Sequence, residues 1–110
     1  MRVLSVLALV GLMSSPALAG GDAAAGKAVF DTNCSSCHGA TGAGDGPAGA
    51  ALNPKPASFA TSALDEAAML KMVTEGGAAN GRSPLMLAWK GTLNEKQIAD
   101  VVAYVRSFKK

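Results

Sequence analysis

Apolar positions along the chain change period five times, and each change marks the start of a new segment. The first block, Val3 to Met13 (VLSVLALVGLM), is apolar without period, follows Arg2, and leads through Ser14-Ser15-Pro16 to Ala17-Leu18-Ala19. A basic start, a short apolar run and a small-x-small site make a secretory signal peptide. A membrane span needs roughly 20 apolar residues, and Ser14, Ser15 and Pro16 interrupt this run before it gets there. Residues 1–19 are therefore expected to be cleaved after Ala19, leaving residues 20–110 as a single domain; retention as an uncleaved anchor is the alternative.

The second block predicts a helix. Asp22 stands as an N-cap before AAAGKAVFDTNC, in which Gly26, Phe30 and Cys34 fall at i, i+4 and i+8 on one face. From Gly39 to Ser58 the period dissolves into GATGAGDGPAGAALNPKPAS, with five Gly and three Pro, which is a loop. A structureless loop of this length in so small a domain is expected to wrap something. Leu64, Ala68, Met69, Met72 and Val73 restore a helical stripe over Leu64 to Thr74, with Ser62 and Asp65 at capping-box spacing and Gly76-Gly77 as the stop. After an irregular stretch with a turn at Asn80-Gly81, the last helix opens on Asn94 with Gln97 three residues on. Ile98, Val101, Val102 and Val105 line one side of it, extended by Tyr104 and Phe108, and Lys109-Lys110 suit its C-terminal dipole. No strand pattern, repeat or second domain interrupts this all-helical reading.

Composition narrows the choice further. A formal net charge of +2, with no basic run longer than Lys109-Lys110, gives no nucleic-acid footprint. A small Gly- and Ala-rich domain has too little core to stand without a staple. The staple is in the pentapeptide Cys34-Ser35-Ser36-Cys37-His38, which holds both cysteines and the single histidine of the chain. Cys-x-x-Cys-His is the attachment pattern for c-type haem: two thiols one turn apart add to two vinyl groups, and the adjacent imidazole reaches the iron. Zinc fails on ligand count, and a thioredoxin-like dithiol expects a βαβ pattern that is not visible. A Cys34–Cys37 disulfide is the remaining alternative in an exported protein.

His38 is then the proximal ligand. For the sixth site the methionines of the mature chain are Met69, Met72 and Met86. Met69 and Met72 read as core filling on the second helix, whereas Met86 lies in a loop free to reach the opposite haem face. Met69, Met72 or an open position are the alternatives to Met86. The other nitrogen of His38 needs an acceptor, for which Gly46-Pro47 is preferred over Pro54. Trp89, three residues beyond Met86, is a candidate donor to a propionate or plain core, and Arg82 and Lys90 are candidates for the haem edge.

On these residues the chain resembles a class I c-type cytochrome. The likeness covers nearly all of residues 20–110 and runs through GKAVFDTNCSSCHG, the loop GDGPAGAALNPKP and the segment MLAWKGTLNEKQIADVVAYVRSF. The resemblance implies an all-α cytochrome c fold, three to four helices around one covalently attached haem c, with His38 and Met86 as axial ligands. It also implies that the first helix packs across the last, Gly26 and Phe30 meeting Tyr104 and Val101. The chain departs from the family at Leu87, where many members carry Pro after the ligand Met; here Pro84 precedes Met86 instead, which bears on how firmly the loop holds it. The function expected is one-electron transfer in the periplasm, without catalysis, to redox partner proteins that dock transiently at the haem edge. A dedicated electron-transfer subunit of a periplasmic dehydrogenase or reductase is the alternative, and a haem that binds small molecules after Met86 leaves is a third.

Overall fold

The computed structural model describes residues 21–109, so the segment 1–19, expected to be a signal peptide, lies outside the described residues. Helix α1, Ala23–Asn33, begins where expected: the Asp22 carboxylate accepts from the backbone N–H groups of Ala24 and Ala25, satisfying donors that a helix start leaves free. Cys34 ends α1, and the chain re-enters a single turn, α2, at Ser35–His38. The motif therefore occupies its own short helix after a break, not the tail of α1.

Helix α3 spans Glu66–Ala79, two residues later at its start than the hydrophobic stripe suggests. Asp65 is its N-cap, accepting from the Ala68 N–H at 2.8 Å, while the Ser62 hydroxyl instead accepts from Leu64 N at 3.2 Å in the turn before it. The two side chains thus cap consecutive turns in place of one capping box. At the other end Gly76 adopts φ 85°, ψ 171°, which breaks the helix before its last short turn. Helix α4, Glu95–Arg106, carries the expected capping box, with Gln97 N–H donating to Asn94 Oδ1 at 2.8 Å and Asn94 N–H to Gln97 Oε1 at 2.9 Å. Two 3-10 turns, Gly49–Ala51 and Phe59–Thr61, punctuate the long loop. No strand occurs among the described residues, and none of their helices is long and apolar enough to cross a membrane.

α1 crosses α4 at Gly26. A Cβ at that position would stand 1.9 Å from the Asp100 carbonyl oxygen and 3.0 Å from Tyr104 Cβ, so only a glycine admits this approach. Phe30, wholly buried, fills the space beside the crossing; its ring centroid lies 5.3 Å from Tyr104 and 5.7 Å from Phe108. Val101, Val102, Val105 and Met69 complete the core and bring α3 against α4. Asp100, although 4 % exposed, is provided for: Asp22 N–H donates to Oδ1 and Lys96 Nζ to Oδ2, both at 2.8 Å. That bond pins the start of α1 to α4 and completes the frame on which the site is built.

Candidate haem site

The frame leaves a cavity of about 650 Å3 bounded by α2, the second half of the long loop, α3, α4 and the segment that follows α3. Cys34, Cys37 and His38 line one side, and Met69, Met72, Met86 and Trp89 also line it. The interior surface is mostly aliphatic and aromatic, as expected of a site for a large flat apolar group.

The loop that follows the motif is built to hold α2. Gly44 N–H donates to the His38 carbonyl at 2.8 Å, Gly46 to Cys37 at 3.2 Å and Ala48 to Ser36 at 2.8 Å. These bonds satisfy the carbonyls that a one-turn helix cannot pair internally. The glycines are required for the approach, since a Cβ at Gly46 would lie 2.3 Å from the Ser36 oxygen and one at Gly49 2.1 Å from the Cys37 oxygen. The first half of the loop therefore wraps the motif helix, and only the second half, from Leu52 through Phe59, reaches the cavity.

Both motif thiols are free. Burial, with the neighbouring Cys37 adding to it, pushes the Cys34 thiol up to about 11. A redox-active dithiol works through a thiol whose pKa is depressed, so this environment is the opposite of a thioredoxin-like one. Burial also lowers the pKa of His38, which keeps the imidazole neutral, the form that binds a metal. Its Nδ1 is buried without a hydrogen-bond partner, so the Gly46–Ala48 segment lies on the motif helix without an acceptor in place for this nitrogen. Pro47 itself is exposed. The His38 ring is held instead by stacking on Phe59, with centroids 4.8 Å apart and 25° between planes. Phe59 is fixed in turn by its N–H bond to the Gly42 carbonyl at 2.8 Å. Nothing in the sequence marked Phe59, a single aromatic at a loop end.

Met86, which also lines the cavity, is half-buried in a segment sewn onto the end of α3. Gly77 N–H donates to the Met86 carbonyl at 2.9 Å, Arg82 N–H to Gly77 at 2.8 Å and Trp89 N–H to Val73 at 2.9 Å. Lys90 Nζ adds an exposed pair with Glu75 at 2.9 Å. Cβ atoms at Gly76 and Gly77 would meet this segment at 2.9 Å (Ala88 N) and 1.9 Å (Ser83 O). The glycine pair that the sequence offered as a helix stop is thus also the seat of the Met86 loop. Met69 is buried in the core cluster, while Met72 is half-buried on α3. Leu87, in the position that departs from the resemblance, is 64 % exposed and leaves the backbone bonds of its neighbours intact.

An orphaned buried imidazole nitrogen, two adjacent thiols, an apolar hollow and thioethers from α3 and the Met86 loop fit a covalently held haem. Among the described residues no cluster of three or more His, Cys, Asp or Glu offers a competing metal site.

Comparison with known proteins identifies the family. Residues 23–109 match the family described as Cytochrome c. The chain is 37% identical over 97 residues to the cbb3-type cytochrome c oxidase subunit FixP of Bradyrhizobium sp. (strain ORS 278), covering 87% of this chain and 31% of that subunit, so it spans about a third of such relatives. It is 36% identical over 84 residues to cytochrome c6 of Chlorolobion braunii, covering 76% of this chain and 88% of that protein. Among solved structures, a chain of the Kuenenia stuttgartiensis reducing HAO-like protein complex superposes with TM-score 0.64 at 29% identity, over 77% of this chain and 41% of that one. The c-type cytochrome KustC0563 superposes with TM-score 0.59 over 77% of this chain and 98% of its own at 23% identity, a likeness of fold. With the family match spanning nearly the whole described domain, the chain belongs to the cytochrome c family.

Proposed function

We propose that the protein is an exported one-electron carrier in which Cys34 and Cys37 hold a single haem c and His38 and Met86 are the axial ligands. The observation that carries the reading is the convergence on one apolar hollow of two thiols, a neutral imidazole with a buried unpaired Nδ1, and a thioether held by a loop tied to α3. In attachment each thiol adds across one vinyl group: a C–S bond forms and the thiol hydrogen ends on the neighbouring carbon. When bound, the haem supplies the redox centre, cycling between ferric and ferrous iron.

The chain's own part is to orient and to exclude. Phe59 sets the plane of the His38 ring, and burial keeps that ring neutral. The core face of α4 gives the hollow an apolar wall through Val101, Val102 and Val105. Met86 would supply the second iron ligand and so leave no place for substrate, which suits a carrier and not a catalyst; a thioether would also favour a higher potential than a second nitrogen. Trp89 beside the Met86 loop is assigned to the haem's propionate side. Leu85 and Leu87, 45 % and 64 % exposed, flank Met86 and offer an apolar contact for transient docking of a redox partner at the haem edge. Residues 1–19 are assigned to export, and the periplasm to the mature protein.

A second reading is favoured by one finding: relatives such as FixP are oxidase subunits of which this chain matches about a third. On that reading the same domain is a dedicated electron-transfer component of a larger assembly. Co-purification from the native membrane and soluble fractions separates the two.

The test of the site is the optical spectrum and mass of the purified holoprotein. One haem on the peptide carrying Cys34 and Cys37 is expected, together with a weak far-red ferric band lost in Met86→Ala and kept in Met69→Ala and Met72→Ala. A high-spin ferric spectrum in the wild type would overturn the Met86 assignment and favour a haem that binds small molecules.

A further inference from the structure

The lining of the cavity is divided by polarity. Buried Phe30, Val101 and Val102 form its dry floor. Apart from the haem motif, the ionisable side chains that line it are Lys55 and Arg82, both cationic, and no carboxylate does. Both residues are exposed, which places them at the solvent mouth of the hollow. Neither forms an ion pair among the described residues, although Lys27, Lys90, Lys96 and Arg106 do. They arrive from different loops: Lys55 between Pro54 and Pro56, and Arg82 from the Met86 segment, where its N–H is bonded to the Gly77 carbonyl at 2.8 Å.

An apolar floor with two unpaired cations at the rim complements a flat apolar body that carries two carboxylates along one edge. Haem has that distribution of charge. We propose that Lys55 and Arg82 form the propionate-binding edge of the site, one cation from each bounding loop, and through it set the orientation of the haem and raise its potential. The assignment rests on the haem attachment proposed above but not on the identity of the sixth ligand. The physical reason is the cost of half-burying a carboxylate without a donor. An Arg fork grips such a group in two places, while a Lys ammonium acts as a point charge. A nearby cation also disfavours the more positive ferric state. Because Arg82 belongs to the Met86 loop, its ion pair ties that loop to the haem from the rim as well.

The experiment uses the haem-loaded protein. Mass spectrometry first establishes the covalent haem in the wild type; its absence overturns the attachment reading and this inference together. With haem present, redox titration and resonance Raman spectra of the propionate bending modes are compared for Lys55→Gln, Arg82→Gln and Lys71→Gln, the last removing the same charge at an exposed position outside the cavity lining. The first two are expected to lower the midpoint potential beyond any change in Lys71→Gln and to shift the propionate bands, which Lys71→Gln leaves in place. Lys55→Arg and Arg82→Lys keep the charge, so they hold the potential near the wild-type value while still shifting the bands; they also serve if a glutamine variant fails to fold. Potentials that move no further than in Lys71→Gln, or propionate bands unchanged in all the lining variants that fold, overturn the assignment and leave the haem reading standing.

Discussion

Replacing Gly77 by alanine perturbs the hold on Met86 without touching a proposed ligand. The added Cβ would lie 1.9 Å from the Ser83 carbonyl oxygen and 3.2 Å from Met86 Cβ. Carbon and oxygen approach comfortably only to about 3.3 Å, so the 82–86 segment has to retreat by roughly 1.4 Å. Two backbone bonds are strained by that movement, Gly77 N–H to Met86 at 2.9 Å and Arg82 N–H to Gly77 at 2.8 Å. At about 0.5–1.5 kcal/mol for each bond, the loop's grip weakens by about 1–3 kcal/mol. That corresponds to roughly a 5- to 150-fold fall in the ratio of Met-on to Met-off molecules. The assay is the far-red ferric band, with carbon monoxide binding to the ferrous protein as the second measure of an open sixth site. The Gly77→Ala protein is expected to lose much of the band and to bind carbon monoxide, while Gly91→Ala, where the Cβ meets nothing within 4 Å, behaves as wild type. An undiminished band in Gly77→Ala would refute the view that this glycine seats the Met86 loop.

Other outcomes follow from the same geometry. Gly26→Ala drives a Cβ to 1.9 Å from the Asp100 oxygen and forces α1 away from α4, so denaturant titration is expected to show a loss of about 1–3 kcal/mol. Burial pushes the Asp100 carboxyl up, but the Asp22 N–H bond and Lys96 outweigh it and hold its pKa below the usual carboxylate value. A depressed folded pKa gives stability that is present above the unfolded value and disappears as pH falls through the folded one. Acid titration of the wild type should therefore lose an increment below about pH 4 that Asp100→Asn lacks. At neutral pH that variant is expected to be less stable by about 1 kcal/mol, because its amide keeps an oxygen for the Asp22 N–H but loses the charge that strengthens that bond, while the exposed Lys96 contributes little. Phe59→Leu removes the stack on His38 and should lower unfolding stability by about 0.5–2 kcal/mol, with a change in the axial histidine signature by paramagnetic NMR; an unchanged signature would argue against Phe59 as the support of the ring.

Much of this protein was written locally. Asp22 and the Asn94–Gln97 box start their helices because capping depends on neighbours three residues away. The i, i+4, i+8 series of Gly26, Phe30 and Cys34 placed gap, ring and thiol on one face because helical period alone does that. The motif pentapeptide carried its chemistry in its spacing. Capping was less informative at α3, where Ser62 and Asp65 were both competent and the geometry of successive turns chose Asp65.

Long-range approach was not legible in this way. That Gly46 and Gly49 lie against the carbonyls of α2, and that Gly76-Gly77 seats the Met86 loop besides ending a helix, depends on backbones meeting in space. A glycine in a sequence does not say what comes near it. The Phe59 stack and the cationic rim of Lys55 and Arg82 likewise join loops distant along the chain. The sequence by itself determined the first and last helices with their caps, the stripe of the middle one and the Cys-x-x-Cys-His pentapeptide on which the haem proposal rests, because those follow from period and spacing within a few residues. Which loop covers which face of the hollow, and which side chains stand at its mouth, was decided only when α1 crossed α4 and brought the connecting segments together.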